Sequence, residues 1–193
     1  LEYMVAVINN GGGFYGVEYY VHEAKMCGAT IHHPDINKSE YLTCIYGKDI
    51  YLGLCLIAEL ESATSEKILA ERSLNGEFTS LEDFASRVDI SLEQIRILIR
   101  VGAFTPDSNL NTGRTKQQLL WDIHMLIGAR KKTEVRNDLF PVPLKKFQLP
   151  ELMQNRIDDA WDQIEILGFS LSSPFDLILK NTANNAAVPA LAD

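Results

Sequence analysis

No apolar run in the 193 residues approaches the ~20 that a membrane-spanning helix needs, which excludes a transmembrane helix on sequence grounds. No charged stretch followed by an apolar one opens the chain, so a secretory leader is not expected and the expected compartment is the cytoplasm. Cysteine is scarce: Cys27, Cys44 and Cys55 are widely spaced and odd in number. None shows the C-x2-C spacing of a tetrahedral zinc site, so they read as small buried thiols. His32 and His33 are adjacent and point opposite ways on an extended chain, so they read as loop residues rather than metal ligands. P-loop and Rossmann glycine patterns are missing, and no serine lies in a recognisable arrangement with His and Asp. The carboxylates Asp158, Asp159 and Asp162 read as a solvated helical face.

Positive charge is also in deficit, with 18 Lys and Arg against 26 Asp and Glu, a net charge of −8 that argues at first against nucleic acid. The deficit is uneven. Residues 114–146 hold 8 Lys/Arg against 3 Asp/Glu, a basic island within an acidic chain. What is present otherwise is ordinary for a globular protein, 46% apolar and 23% charged residues. The opening LEYMVAVI reads as the middle of a helix and does not begin with Met, which suggests a fragment of a longer protein.

The pattern along the chain is mostly helical. Residues 2–9 form one segment, broken by the glycines at 11–13. Val17, Tyr20, Val21, Ala24 and Cys27 recur at helical spacing, with Gly28 suited to the turn that follows. HHPDIN (32–37) is an extended connector. Two β-branched and aromatic runs flank Gly47-Lys48-Asp49 between 41 and 57, which predicts a hairpin. Ser62 is placed to cap a helix to about Asn75. SLED (80–83), a capping-box variant with Asp in the fourth place, and SLEQ (91–94), a full capping box, open two more. A helix follows from about Thr115 to Ala129, and helix signals fail from Arg130 to Asn155. A last helix runs from about Arg156 to Leu167, stopped by Gly168. The predicted fold is mostly α, with a small β-hairpin.

Short helices joined by tight glycine-containing turns suggest helix-hairpin-helix units, whose turn N–H groups can hold a phosphate without reading a base. The strongest such turn is RVGAF (100–104), with Arg100 to add charge and Gly102 and Ala103 at the tip. The competing reading is a helix ended by a glycine cap, with Phe104 packed into the core. A second oddity is EVRNDLFPVP (134–143), a polar, proline-bounded stretch that carries the apolar pair Leu139-Phe140.

The succession HHPDIN, IYLGL (50–54), ILAERSLNGEFTSLEDFASRVD (68–89), LIRVGAF (98–104) and EILGFSLSSPFDL (165–177) resembles the alpha subunit of bacterial DNA polymerase III, in that family's order, over nearly the whole chain. The resemblance implies a tandem helix-hairpin-helix fold with four parts: the end of a fingers domain (1–40), the tandem hairpins (41–130), a linker with a clamp-binding peptide (131–155), and a helix leading toward an OB-fold (156–193). It implies duplex DNA, a sliding clamp and other replicase subunits as partners, and no membrane. The family's catalytic aspartates, which would use Mg in the parent polymerase, have no counterpart here, so no catalytic site, cofactor or metal site is expected in this segment. Two departures stand out. The first hairpin, which in the family carries Gly-x-Gly, reads Glu59-Leu60-Glu61-Ser62-Ala63. Arg136-Asn137-Asp138-Leu139-Phe140 fits the clamp-binding pattern with Arg136 where the family has Gln. The alternative, from a different class, is a protein-interaction adaptor that never touches DNA. A small hydrolase, which would need paired titratable groups in a pocket, has no support in the sequence.

Overall fold

A computed structural model describes residues 1–104, 114–135 and 156–172. Its order is α1 (Glu2–Asn9), α2 (Val17–Met26), β1 (Thr30–His32), β2 (Cys44–Tyr46), β3 (Asp49–Tyr51), a 3-10 turn (Leu54–Leu56), α3 (Ser62–Asn75), α4 (Leu81–Arg87), α5 (Leu92–Val101), α6 (Lys116–Val135) and α7 (Arg156–Leu167). The mostly helical class is what the sequence pattern predicts. Glycines mark the helix ends, because the chain reverses there through left-handed backbone that only glycine adopts without strain. Gly28, Gly76, Gly102 and Gly168 follow α2, α3, α5 and α7 with φ between 79 and 91°.

The expected hairpin is β2–β3, antiparallel, with Cys44 opposite Tyr51 and a turn through Gly47 at φ 66°. The sheet has a third strand. β1 pairs parallel to β3, so that β3 lies in the middle and Ile31 stands opposite Ile50. His32 therefore belongs to a strand rather than a loop. Its ring stacks on Tyr51 at 4.4 Å and its Nε2 lies 2.8 Å from Asp49. Directly after the sheet, Gly53 passes so close to residues 41–43 that a Cβ would meet the Leu42 carbonyl carbon and the Thr43 nitrogen at 2.5 Å. That contact accounts for the glycine of IYLGL, and the Thr43 hydroxyl accepts the Gly53 N–H there.

One cluster of buried apolar side chains runs from Ile8 and Val21 through the hairpin region to Ile166 and Phe169. Three rings form its centre. Phe78 meets Phe84 edge-on at 5.0 Å, and Phe84 meets Phe104 at 5.1 Å, the tilted packing aromatic quadrupoles favour. Buried polar groups tie the HHPDIN stretch to this centre. Asn37 donates its amide to the Phe78 carbonyl and accepts the Phe78 N–H, both at 2.9 Å. Asp35 accepts the N–H groups of Asn37 and Lys38, and Arg72 caps the turn by donating to the carbonyls of Ile36 and Ser39.

Several local expectations are corrected. Glu61, not Ser62, is the residue before α3, and no side chain caps that helix. Ser80 and Ser91 do accept the N–H groups of Asp83 and Gln94, as the capping boxes predict. Helix α6 continues to Val135, past the expected end near Ala129. The cysteines are not interior: Cys27 and Cys55 are exposed and Cys44 is half-buried, because Cys27 closes α2 and Cys55 faces outward from the 3-10 turn.

Replacing Asn37 with alanine strands both polar groups of Phe78 in a dry interior, so Asn37→Ala is expected to cost about 2–3 kcal/mol. Urea denaturation with an unchanged slope checks this.

Candidate nucleic-acid interface

The first hairpin turn joins the 3-10 turn to α3 through Ile57–Glu61. Its tip is Glu59, whose φ of 63° is the only positive value at a non-glycine among the described residues. An L-residue pays roughly 1–2 kcal/mol for this conformation. The position coincides with the first residue of the stretch where Gly-x-Gly was expected, so the backbone keeps a glycine shape without the glycine.

Neighbouring groups hold the shape. The buried Gln94 accepts the Glu61 N–H at 2.9 Å and donates to the Glu59 carbonyl at 2.8 Å. Its backbone N–H goes to the Ser91 hydroxyl. The amide that completes a capping box in the sequence pattern instead clamps the other hairpin. Ala58 donates to the Ile166 carbonyl at 2.8 Å, which ties the same turn to α7.

The second turn follows α5. Gly102 has φ 91°, and its N–H goes to the Ile99 carbonyl. Ala103 is fully buried, donates to the Leu98 carbonyl and accepts the Ile36 N–H. Phe104 is in the aromatic centre. Gly102 and Ala103 thus shape the turn from inside, and their N–H groups are spent on the helix end. Arg100 is the outward group of the three. Its Nε donates to Asp162 at 2.8 Å and its Nη2 pairs with Asp162 and Glu165, both on α7. Beside it, Lys116 at the start of α6 reaches Asp159 at 2.8 Å and donates to the Arg100 carbonyl at 2.7 Å. Arg114 lies between Glu82 and Asp122. Arg114 and Lys116 belong to the basic island noted in the sequence, but neither was picked out individually. The signal was their place at the start of a helical pattern, directly after Gly113 in the sequence.

Beneath this corner His33 is half-buried, and its enclosed Nδ1 finds no hydrogen-bond partner among the described residues. Burial first, then the nearby Lys116 charge, lowers its pKa from 6.5 to about 4. Residues 136–140, the expected clamp-binding peptide, lie outside the described residues. Among the described residues no three His, Cys, Asp or Glu side chains are grouped to hold a metal ion. No helix among them is long and apolar enough to cross a membrane.

A family model described as a helix-hairpin-helix motif matches residues 28–117, the stretch that contains both turns. Among curated relatives, the error-prone DNA polymerase of Mycobacterium bovis is 36% identical over 111 residues, 56% of this chain and 10% of that protein. The DNA polymerase III subunit alpha of Staphylococcus aureus (strain MRSA252) is 29% identical over 157 residues, 79% of this chain and 14% of that protein. The chain is similar to a segment of DNA polymerase III alpha-type enzymes. It spans about a tenth of the length of the first of these relatives. Within such a segment the two turns are the paired hairpins, and α7 packs against both.

Two outcomes test this geometry. Glu59→Gly relieves the left-handed strain at an exposed position and is expected to stabilise by about 0.5–1 kcal/mol, less than the full strain because glycine loosens the unfolded chain. A shift in the urea midpoint reads it. The neutral His33 ring is the folded form, and only the unfolded chain takes up a proton between pH 6.5 and about 4. Stability is therefore expected to fall by up to about 3 kcal/mol as the pH drops through that window, with no further loss from this group below it. Denaturation against pH should show this slope reduced in His33→Asn.

Proposed function

We propose that the chain is a non-catalytic part of a DNA-directed DNA polymerase of the replication machinery, working in the cytoplasm. In this reading its second hairpin meets the primer–template duplex and residues 136–140 tether the enzyme to a sliding clamp. The observation that carries the duplex contact is the coincidence of the helix-hairpin-helix match with a turn flanked by Arg100, Arg114 and Lys116. Such a contact recognises the phosphate backbone rather than a base sequence, so it suits an enzyme that must hold any template. Arg100 supplies the charge, while Gly102 and Ala103 fix the turn that presents it. The first hairpin is a poorer candidate, because the exposed Glu59 and Glu61 repel phosphate.

The clamp tether is read from Arg136-Asn137-Asp138-Leu139-Phe140. Leu and Phe entering an apolar pocket on a ring would contribute about 3–6 kcal/mol before ordering costs. That is a releasable grip, made processive when the same enzyme also holds DNA. The 1–40, 41–130, 131–155 and 156–193 division is part of the same proposal. The competing adaptor reading draws on the net charge of −8.

Titrating the chain against a sliding clamp, beside a Leu139→Ala/Phe140→Ala variant, tests the tether. The variant should lose most binding, and equal binding by both would sink the assignment. For the duplex, binding at low salt should weaken on adding salt and should weaken in Arg100→Glu. No binding at low salt, with no effect of that change, would favour the adaptor.

A further inference from the structure

We propose that the acidic face of α7 is a built-in competitor for phosphate at the second hairpin, so that duplex binding requires Arg100 to exchange carboxylates for phosphates. The inference rests on the duplex reading above and adds a regulation to that site.

Asp159, Asp162 and Glu165 recur every three residues along α7, each about 4.5 Å further along the axis. This is of the order of the ~3.4 Å rise between charges on one strand of DNA. The row meets the cations of the hairpin one by one. Asp159 takes Lys116, Asp162 takes Arg100, and Glu165 takes the outer edge of the same guanidinium. Exposure is graded along the row. The side chains of Lys116 and Asp159 are 14% and 23% exposed, those of Arg100 and Asp162 31% and 23%, and Glu165 is 66% exposed.

The grading separates architecture from competition. The inner pair, further fixed by the Lys116 bond to the Arg100 carbonyl, holds α5, α6 and α7 together. The outer pair opens to solvent on its Glu165 side, where an ion pair contributes little and a polyanion can displace the carboxylate. A single phosphate competes poorly with two carboxylates already in place, whereas a duplex brings many phosphates at once. The device therefore favours a dense polyanion over isolated anions. It also couples the hairpins, because the Ile166 carbonyl, one residue beyond Glu165, accepts the Ala58 N–H of the first turn.

The test is fluorescence anisotropy of a labelled duplex with the 193-residue chain across a salt series. Glu165→Gln and Asp162→Asn/Glu165→Gln are compared with wild type, each with and without Arg100→Ala, and Glu66→Gln on the exposed face of α3 controls for net charge. Thermal unfolding checks that each variant is folded, and the exposed position of Glu165 lets the single variant decide if the double one is not. Expected is tighter binding by about two- to fivefold, the factor equivalent to releasing an exposed ion pair. The salt slope should steepen by about one, and both gains should vanish with Arg100→Ala. If Arg100→Ala weakens wild type but Glu165→Gln binds like wild type, the competitor idea falls and the duplex reading stands. A gain that survives Arg100→Ala, or that Glu66→Gln reproduces, overturns the idea as a mere net-charge effect. If no variant binds duplex at low salt, both readings fall.

Discussion

The paired-hairpin arrangement depends on one buried amide. Gln94 begins in α5, where its N–H completes the cap on Ser91, and ends at the first hairpin, where its side chain satisfies a carbonyl and an N–H at once. A buried amide is costly unless its donor and acceptor are met, so the two turns can sit only where both bonds form. The rest follows from that distance. Helix α3 starts where the first turn releases it, and α5 delivers Gly102 to the second turn. The aromatic centre of Phe78, Phe84 and Phe104 belongs to the same buried cluster as Ile57 of the first turn and Val101 before the second.

Charge is used in this fold as structural material. Arg72 joins α3 to the HHPDIN turn, and Arg87 joins α4 to Glu71 of α3 while lying over the Phe78 ring at 4.5 Å. Arg100 and Lys116 join the second hairpin to α7. These cations are largely covered, and their stems pack as apolar surface. An acidic chain can therefore own a basic corner without attracting every polyanion in the cell. The net charge of −8 repels at long range and leaves recognition to short-range geometry.

Helices were legible because their signals are local. Ser80 and Ser91 cap what their neighbours predict, and Gly76 and Gly168 end α3 and α7 where the sequence places the stops. Strand β1 was not legible, since it is three residues long and its parallel partner lies beyond the intervening β2. Gln94 looked like a completed capping box because the local pattern cannot reveal an acceptor 35 residues away. The candidate site was half visible. RVGAF marked the turn, but the carboxylates that meet Arg100 come from 62 and 65 residues further on. Solvated helix faces and partner-bearing ones share the same spacing, so Asp162 carried no sign of its role.

Glu59 separates a shape from the residue that usually makes it. Its left-handed backbone is imposed from outside, by Gln94 across the core and by Ile166 holding the neighbouring Ala58. The information for that turn thus lives in the surroundings rather than in the turn's own letters. A hairpin of this kind can lose its glycines one substitution at a time and keep its contour. The contour of the loop is then held by contacts from distant parts of the chain, and its own residues can change without the turn changing.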